Sequence, residues 1–134
     1  MSLDDQRYSQ RKRIDAVKIS DLTSLNSYMV IAEAGNIVDA SITGFLIRLR
    51  RQDLVPKELK QHLSLDSLVG QQVVLYLPQM NLDLDGIITR TRHIGGGVFD
   101  IGVEFSQDVP EYWRQCLVDL FPEPGEFSEE EASG

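Results

Sequence analysis

Long apolar runs, paired cysteines, clustered histidines and abundant aromatics are all missing from this chain, and each absence removes a class of protein. No apolar stretch approaches the ~20 residues that cross a bilayer. The polar opening Met1 to Arg13 has no secretory leader's apolar core, so no membrane span is expected and the expected address is the cytoplasm. The single cysteine, Cys116, cannot close an intramolecular disulfide. It falls in helix-like sequence without a neighbouring histidine, which favours a buried or half-buried thiol over a nucleophile. His62 and His93 stand alone, so neither a zinc site nor a hydrolytic dyad has the residues it requires. No catalytic residue, metal ligand or cofactor is assigned, and a non-enzymatic protein is expected. Aromatics make up 7% of the chain, and 13 Lys and Arg face 21 Asp and Glu for a net charge of −8. A DNA or RNA partner needs a basic footprint, and a single strand also needs stacking platforms, so neither is expected.

What is present is one domain's worth of chain, 134 residues with 42% hydrophobic and 25% charged. The charge is unevenly spread. Arg7, Arg11, Lys12 and Arg13 crowd the front, whereas Glu123, Glu126, Glu129, Glu130 and Glu131 crowd the far end. The front can hold a small anion that the molecule as a whole disfavours. Residues 1–13 lack periodicity and are expected to form a flexible basic arm; residues 122–134 are expected to form an acidic, disordered tail. The folded unit is then 14–121.

Within it, alternation predicts strands. Ser27 to Ala34 alternates first, with Tyr28, Val30 and Ala32 on one side, and Gly35-Asn36 looks like a hairpin turn. Ile37 to Leu49 follows, its parity changing across Ser41 to Gly44 as a bulge or tight bend would change it. Asp53 to Leu65 breaks the pattern, and Pro56 ahead of Glu58, Leu59 and Leu63 predicts a short helix in a long connection. Gln71 to Leu77 and Leu82 to Arg92 form a hairpin; Gly95-Gly96-Gly97 is the next turn, and Val98 to Phe105 returns as a strand. Asp108 to Phe121 predicts a closing helix with Trp113, Leu117, Leu120 and Phe121 as its apolar stripe. Short strands between turn signals, with one terminal helix, predict an all-β, closed or nearly closed antiparallel barrel.

Two segments imitate ligand loops. Asn81 to Gly86 opens like a calcium-binding loop, but Arg92 occupies the position where that loop needs a bidentate glutamate. The run Gly95-Gly96-Gly97 precedes a strand instead of a helix, so a hairpin turn is expected there in preference to a glycine-rich phosphate cradle.

The informative residues are two short motifs in fixed order: Arg7-x-x-x-Arg11, and Asp39-x-Ser41-x-x-Gly44 running into an apolar strand. Guanidinium forks match phosphate oxygens and the O6/N7 edge of guanine, while a carboxylate accepts from guanine N1–H and N2–H. With the strand Ile101-Gly102-Val103-Glu104-Phe105 before the last helix, the chain resembles the PilZ domain over roughly residues 7–121. That resemblance implies a six-stranded antiparallel β-barrel with a short inserted helix and a C-terminal α-helix. It further implies a bacterial receptor for the second messenger cyclic di-GMP. Arg7 and Arg11 would grip phosphates and guanine edges, Asp39 and Ser41 would bond a guanine, and Gly44 would keep the turn compact. Arg13 and Arg48 would be additional phosphate contacts. Binding would order the basic arm against the barrel, and a downstream protein partner would sense the new surface. The alternative is a ligand-independent interaction module on the same barrel. Gln6, ahead of the first motif, leaves ligand stoichiometry open, and neither the partner nor the regulated process is specified.

Overall fold

The computed structural model describes residues 12–60, 65–106 and 109–120, and in them six antiparallel strands close on themselves. They are β1 (Lys12–Ser24), β2 (Val30–Ala40), β3 (Gly44–Arg50), β4 (Gln72–Leu77), β5 (Leu82–Gly95) and β6 (Val98–Phe105). The order around the barrel is β1-β2-β3-β6-β5-β4, with β1 pairing β4 to complete the circle. Closure gives every strand a neighbour on both sides. Between β3 and β4 lie a 3-10 turn (Arg51–Asp53), a single helical turn, α1 (Lys57–Lys60), and a second 3-10 turn (Asp66–Leu68); α2 (Glu111–Leu120) follows β6. The expected barrel, short inserted helix and terminal helix are all present.

Inward side chains fill the barrel. Phe45, Ile47 and Leu49 of β3 alternate into it, as do Val73, Leu75 and Leu77 of β4, and each is essentially inaccessible to water. Such burial stabilises by about 1.5–3 kcal/mol per large side chain. Leu54, Leu59, Leu65 and Leu68 from the β3–β4 connection join the same cluster, so that segment closes the core as well as linking strands.

Several local expectations are corrected. β1 carries no predicted strand, and it begins at Lys12, inside the segment 1–13 expected as an arm. Its pairing with β2 slips by two residues between Arg13 and Val17, and Asp21 sits at φ 55°, so Val17, Ile19 and Leu22 point inward without a period of two. Tyr28, expected on a strand, lies in the β1–β2 connection at φ 61° and is 82% exposed. Gly35-Asn36 is no turn: β2 runs straight through it. A Cβ on Gly35 would come within 2.5 Å of Leu49 Cδ2 and 3.1 Å of the Arg48 carbonyl, so packing, not backbone reversal, demands the glycine. In α2, Leu117 and Val118 face the protein while Leu120 is 65% exposed, which removes Leu120 from the expected stripe. The same rotation leaves Cys116 exposed, against the expected burial. Arg114 ties the helix to the end of β6, donating from Nε to the Val109 carbonyl (2.9 Å) and from Nη2 to the Ser106 carbonyl (3.1 Å). The acidic tail, Asp108 and Phe121 lie outside the described residues, as does the side chain of Trp113.

Candidate functional site

The second motif is built by one bulge and one tight hairpin. Between the pairs Ile37↔Ile47 and Asp39↔Leu46, β2 advances two residues while β3 advances one, so Val38 is the extra residue. Without it, Asp39 would share the inward parity of Gly35 and Ile37. With it, Ala40 takes the buried position and Asp39 turns to the outer face, half-buried. The bulge expected across Ser41 to Gly44 is therefore at Val38 instead, and Ser41 to Gly44 is the hairpin turn that ends β2 and begins β3.

The turn holds itself together. Ser41 N–H donates to the Gly44 carbonyl at 2.8 Å, and Gly44 N–H returns a bond to the Ser41 carbonyl at 3.3 Å. Ser41 is 2% exposed; its Oγ accepts from the Thr43 N–H at 3.2 Å and shares a 2.8 Å bond with Thr43 Oγ1. Its hydroxyl is thus committed to shaping the turn. Thr43, whose Oγ1 shares that bond, is exposed. Gly44 opens β3 against the backbone of β6, where an added Cβ would overlap the Val103 carbonyl oxygen and stand 2.8 Å from Glu104 Cα. Only glycine allows that approach.

Register sets the neighbours of Asp39. On β1, Arg13 lies opposite Asp39 and Lys12 opposite Ala40, so the chain enters the barrel beside the second motif. In sequence, Arg11 immediately precedes Lys12. Arg7 and Arg11 themselves lie outside the described residues, and so does the Arg13 side chain. Across the barrel surface one row runs Arg13, Asp39, Leu46, Gly102, Arg90, and the next runs Lys18, Asn36, Arg48, Asp100, Arg92.

Arg48 is already engaged. Its Nε donates to Asp100 Oδ1 at 2.9 Å and its Nη2 to Oδ2 at 3.1 Å. That bond raises the affinity of the guanidinium for its proton, against an opposing effect of burial, with further attraction from Asp100 and from Asp39. A fork held in this way is not free for phosphate.

Arg90 is the cation that sequence patterning missed. Alternation through β5 assigns it the same parity as buried Leu84 and Ile88, but Thr89 is an extra residue between the pairs Ile88↔Val103 and Arg90↔Gly102. The bulge turns Arg90 to the outer face, as Val38 turns Asp39. Its stem lies over Gly102, whose hypothetical Cβ would meet Arg90 Cγ at 2.8 Å and Nε at 2.9 Å. Among the described residues, neither Arg90 nor Arg92 has a carboxylate within ion-pair distance. Thr43, Gly44, Thr89, Arg90, Gly102, Val103 and Glu104 line a groove of about 380 Å³ between the hairpin and β5. The cluster Arg90-Thr91-Arg92 was the available sequence signal; what hid it was the bulge.

The arrangement offers a carboxylate for base edges, a guanidinium, unpaired among the described residues, for an oxyanion, and an entering chain whose preceding residues are basic. Among the described residues no three His, Cys, Asp or Glu side chains gather as a metal site, and no helix is long and apolar enough to cross a membrane. No protein-family model matches the chain, and no curated protein matches its sequence.

Proposed function

We propose that the chain is a non-enzymatic receptor for cyclic di-GMP, of the PilZ kind, that signals by ordering its basic N-terminal arm. The observation that carries this reading is the β1–β2 register, Lys12 opposite Ala40 and Arg13 opposite Asp39. It makes the strand that follows the first motif the direct neighbour of the second. Asp39 accepts from a guanine N1–H and N2–H; Arg7 and Arg11 supply charge from the arm; Arg90, on the groove beside Thr43 and Gly44, takes a phosphate oxygen. Ser41 and Gly44 act through the shape of the hairpin. Arg48 holds Asp100 and has an indirect part. A segment carrying Arg7, Arg11, Lys12 and Arg13 repels itself, and a dianion neutralises it against the barrel for a downstream protein to sense.

Titration calorimetry with cyclic di-GMP, against GMP and cyclic di-AMP, tests the reading. Saturable heat with the first alone is expected, abolished in Arg7→Ala, Arg11→Ala and Asp39→Ala. A flat wild-type titration with no shift in melting temperature would leave the ligand-independent interaction module as the better account.

A further inference from the structure

At the other end of β3 lies a second cationic cleft, unconnected with either motif. It is lined by Arg50, Arg51, Gln52, His93 and the turn Gly96-Gly97-Val98, and at about 760 Å³ it has twice the volume of the groove beside Thr43. β3 separates the two: six residue steps from Gly44 to Arg50 span about 20 Å.

Three features make this a built site. First, among the described residues no Asp or Glu lines the cleft, in a chain where acids outnumber bases 21 to 13. Arg50 and Arg51 have no carboxylate within ion-pair distance among the described residues; Asp53 is engaged by the Arg50 backbone N–H at 3.3 Å. Second, Arg51 is held in place. Its backbone N–H donates to the Gly97 carbonyl at 2.7 Å, and its Cζ stands 5.6 Å from the centroid of the buried Phe99 ring. The His93 ring packs on the same phenylalanine at 4.8 Å, so one ring positions two donors. Third, Arg51 Nε is a buried donor without an acceptor among the described residues. A buried donor left unpaired is costly in a folded protein. The β5–β6 turn adds backbone at the rim, with Gly96 at φ 62° and Gly97 at φ 76°.

We infer that this cleft binds the phosphate group of a small molecule, through the Arg50 and Arg51 guanidiniums and the His93 imidazole. A planar fork against oxyanion geometry suits arginine better than any other side chain, and concave walls of one charge sign concentrate anions. The site stands independently of cyclic di-GMP recognition at the far hairpin.

The test is a ¹H–¹⁵N correlation spectrum of the full chain titrated with inorganic phosphate, and separately with chloride at matched ionic strength. The expected result is saturable movement of the Gly96 and Gly97 amides and of Arg51 Nε–H, half-complete below about 5 mM phosphate and absent with chloride. Arg51→Met keeps a side chain over Phe99 and removes the charge; Arg50→Gln alters an exposed residue and backs it up should the first variant fold poorly. Each should weaken phosphate at least about tenfold while leaving resonances of the Asp39–Gly44 hairpin in place. Movement that is linear, equal with chloride, confined to the hairpin and Arg90, or unchanged in both variants would overturn the inference.

Discussion

The side chain of Arg90 lies across the face of Gly102, on a part of the barrel surface where a larger residue would push it away. Gly102 borders the groove that also holds Thr43 and Gly44, so the glycine provides the seat for the cation. An alanine there would meet Arg90 Cγ, Nε and Cδ, all parts of a flexible, exposed side chain that can yield. Gly102→Ala should therefore shift the melting temperature by less than about 4 °C. It should weaken cyclic di-GMP about tenfold, because the guanidinium leaves its position. Calorimetry beside thermal denaturation checks both; unaltered affinity would remove Arg90 from the site.

Asp39 owes its outward position to the Val38 bulge, which leaves the residue half-buried on the outer face and out of the barrel core. Asp39→Asn keeps the shape and removes an acceptor for guanine N–H donors. A charge-assisted hydrogen bond contributes about 1.5–3 kcal/mol, so the dissociation constant should rise about 10- to 100-fold. The melting temperature without ligand should change little. Affinity within twofold of wild type would show that guanine is not recognised at Asp39.

What the sequence concealed follows a physical pattern. Strands β3, β4 and β6 keep a period of two, and Phe45, Ile47, Leu49, Val73, Leu75, Leu77, Ile101, Val103 and Phe105 were all legible as inward residues. β1 was missed because its pairing with β2 slips between Arg13 and Val17 and again at Thr23, leaving no stretch long enough to show alternation. Asp39, Ser41 and Gly44 were singled out through residue chemistry and spacing, which a bulge does not disturb. Arg90 could be found only through geometry, since its parity in sequence pointed to the core. The true function of Gly35 was hidden for a related reason: a glycine required beneath Leu49 is indistinguishable in sequence from one required in a turn.

Gly44 is the opposite case to Gly102. Its hypothetical Cβ meets backbone atoms of Val103 and Glu104, which cannot move without shifting β6 against β3. Gly44→Ala should cost about 1–3 kcal/mol through overpacking, and lower the melting temperature by several degrees. Binding should fail with it, because the hairpin that carries Asp39 and Thr43 is displaced. Chemical denaturation with and without ligand separates the two effects, and a variant as stable as wild type would contradict the close approach of these strands.

Arg48 and Asp100 close the same surface from the side. They face one another across β3 and β6 with two bonds in parallel, yet the Arg48 side chain is 46% exposed, and solvent screens much of the attraction. A double-mutant cycle with Arg48→Ala and Asp100→Ala should give a coupling of about 0.5–1 kcal/mol, falling as salt is added. The sign of its pH dependence follows from the raised proton affinity of Arg48. A basic group whose affinity is higher in the folded state contributes its full stabilisation below its unfolded value, and loses it only as pH climbs through the folded one. Both values lie in the arginine range, so ionisation of Arg48 gives no loss of coupling between pH 7 and pH 10. Cycles measured at those two pH values should agree. A fall at pH 10 would mean that another group supplies the attraction now attributed to this guanidinium.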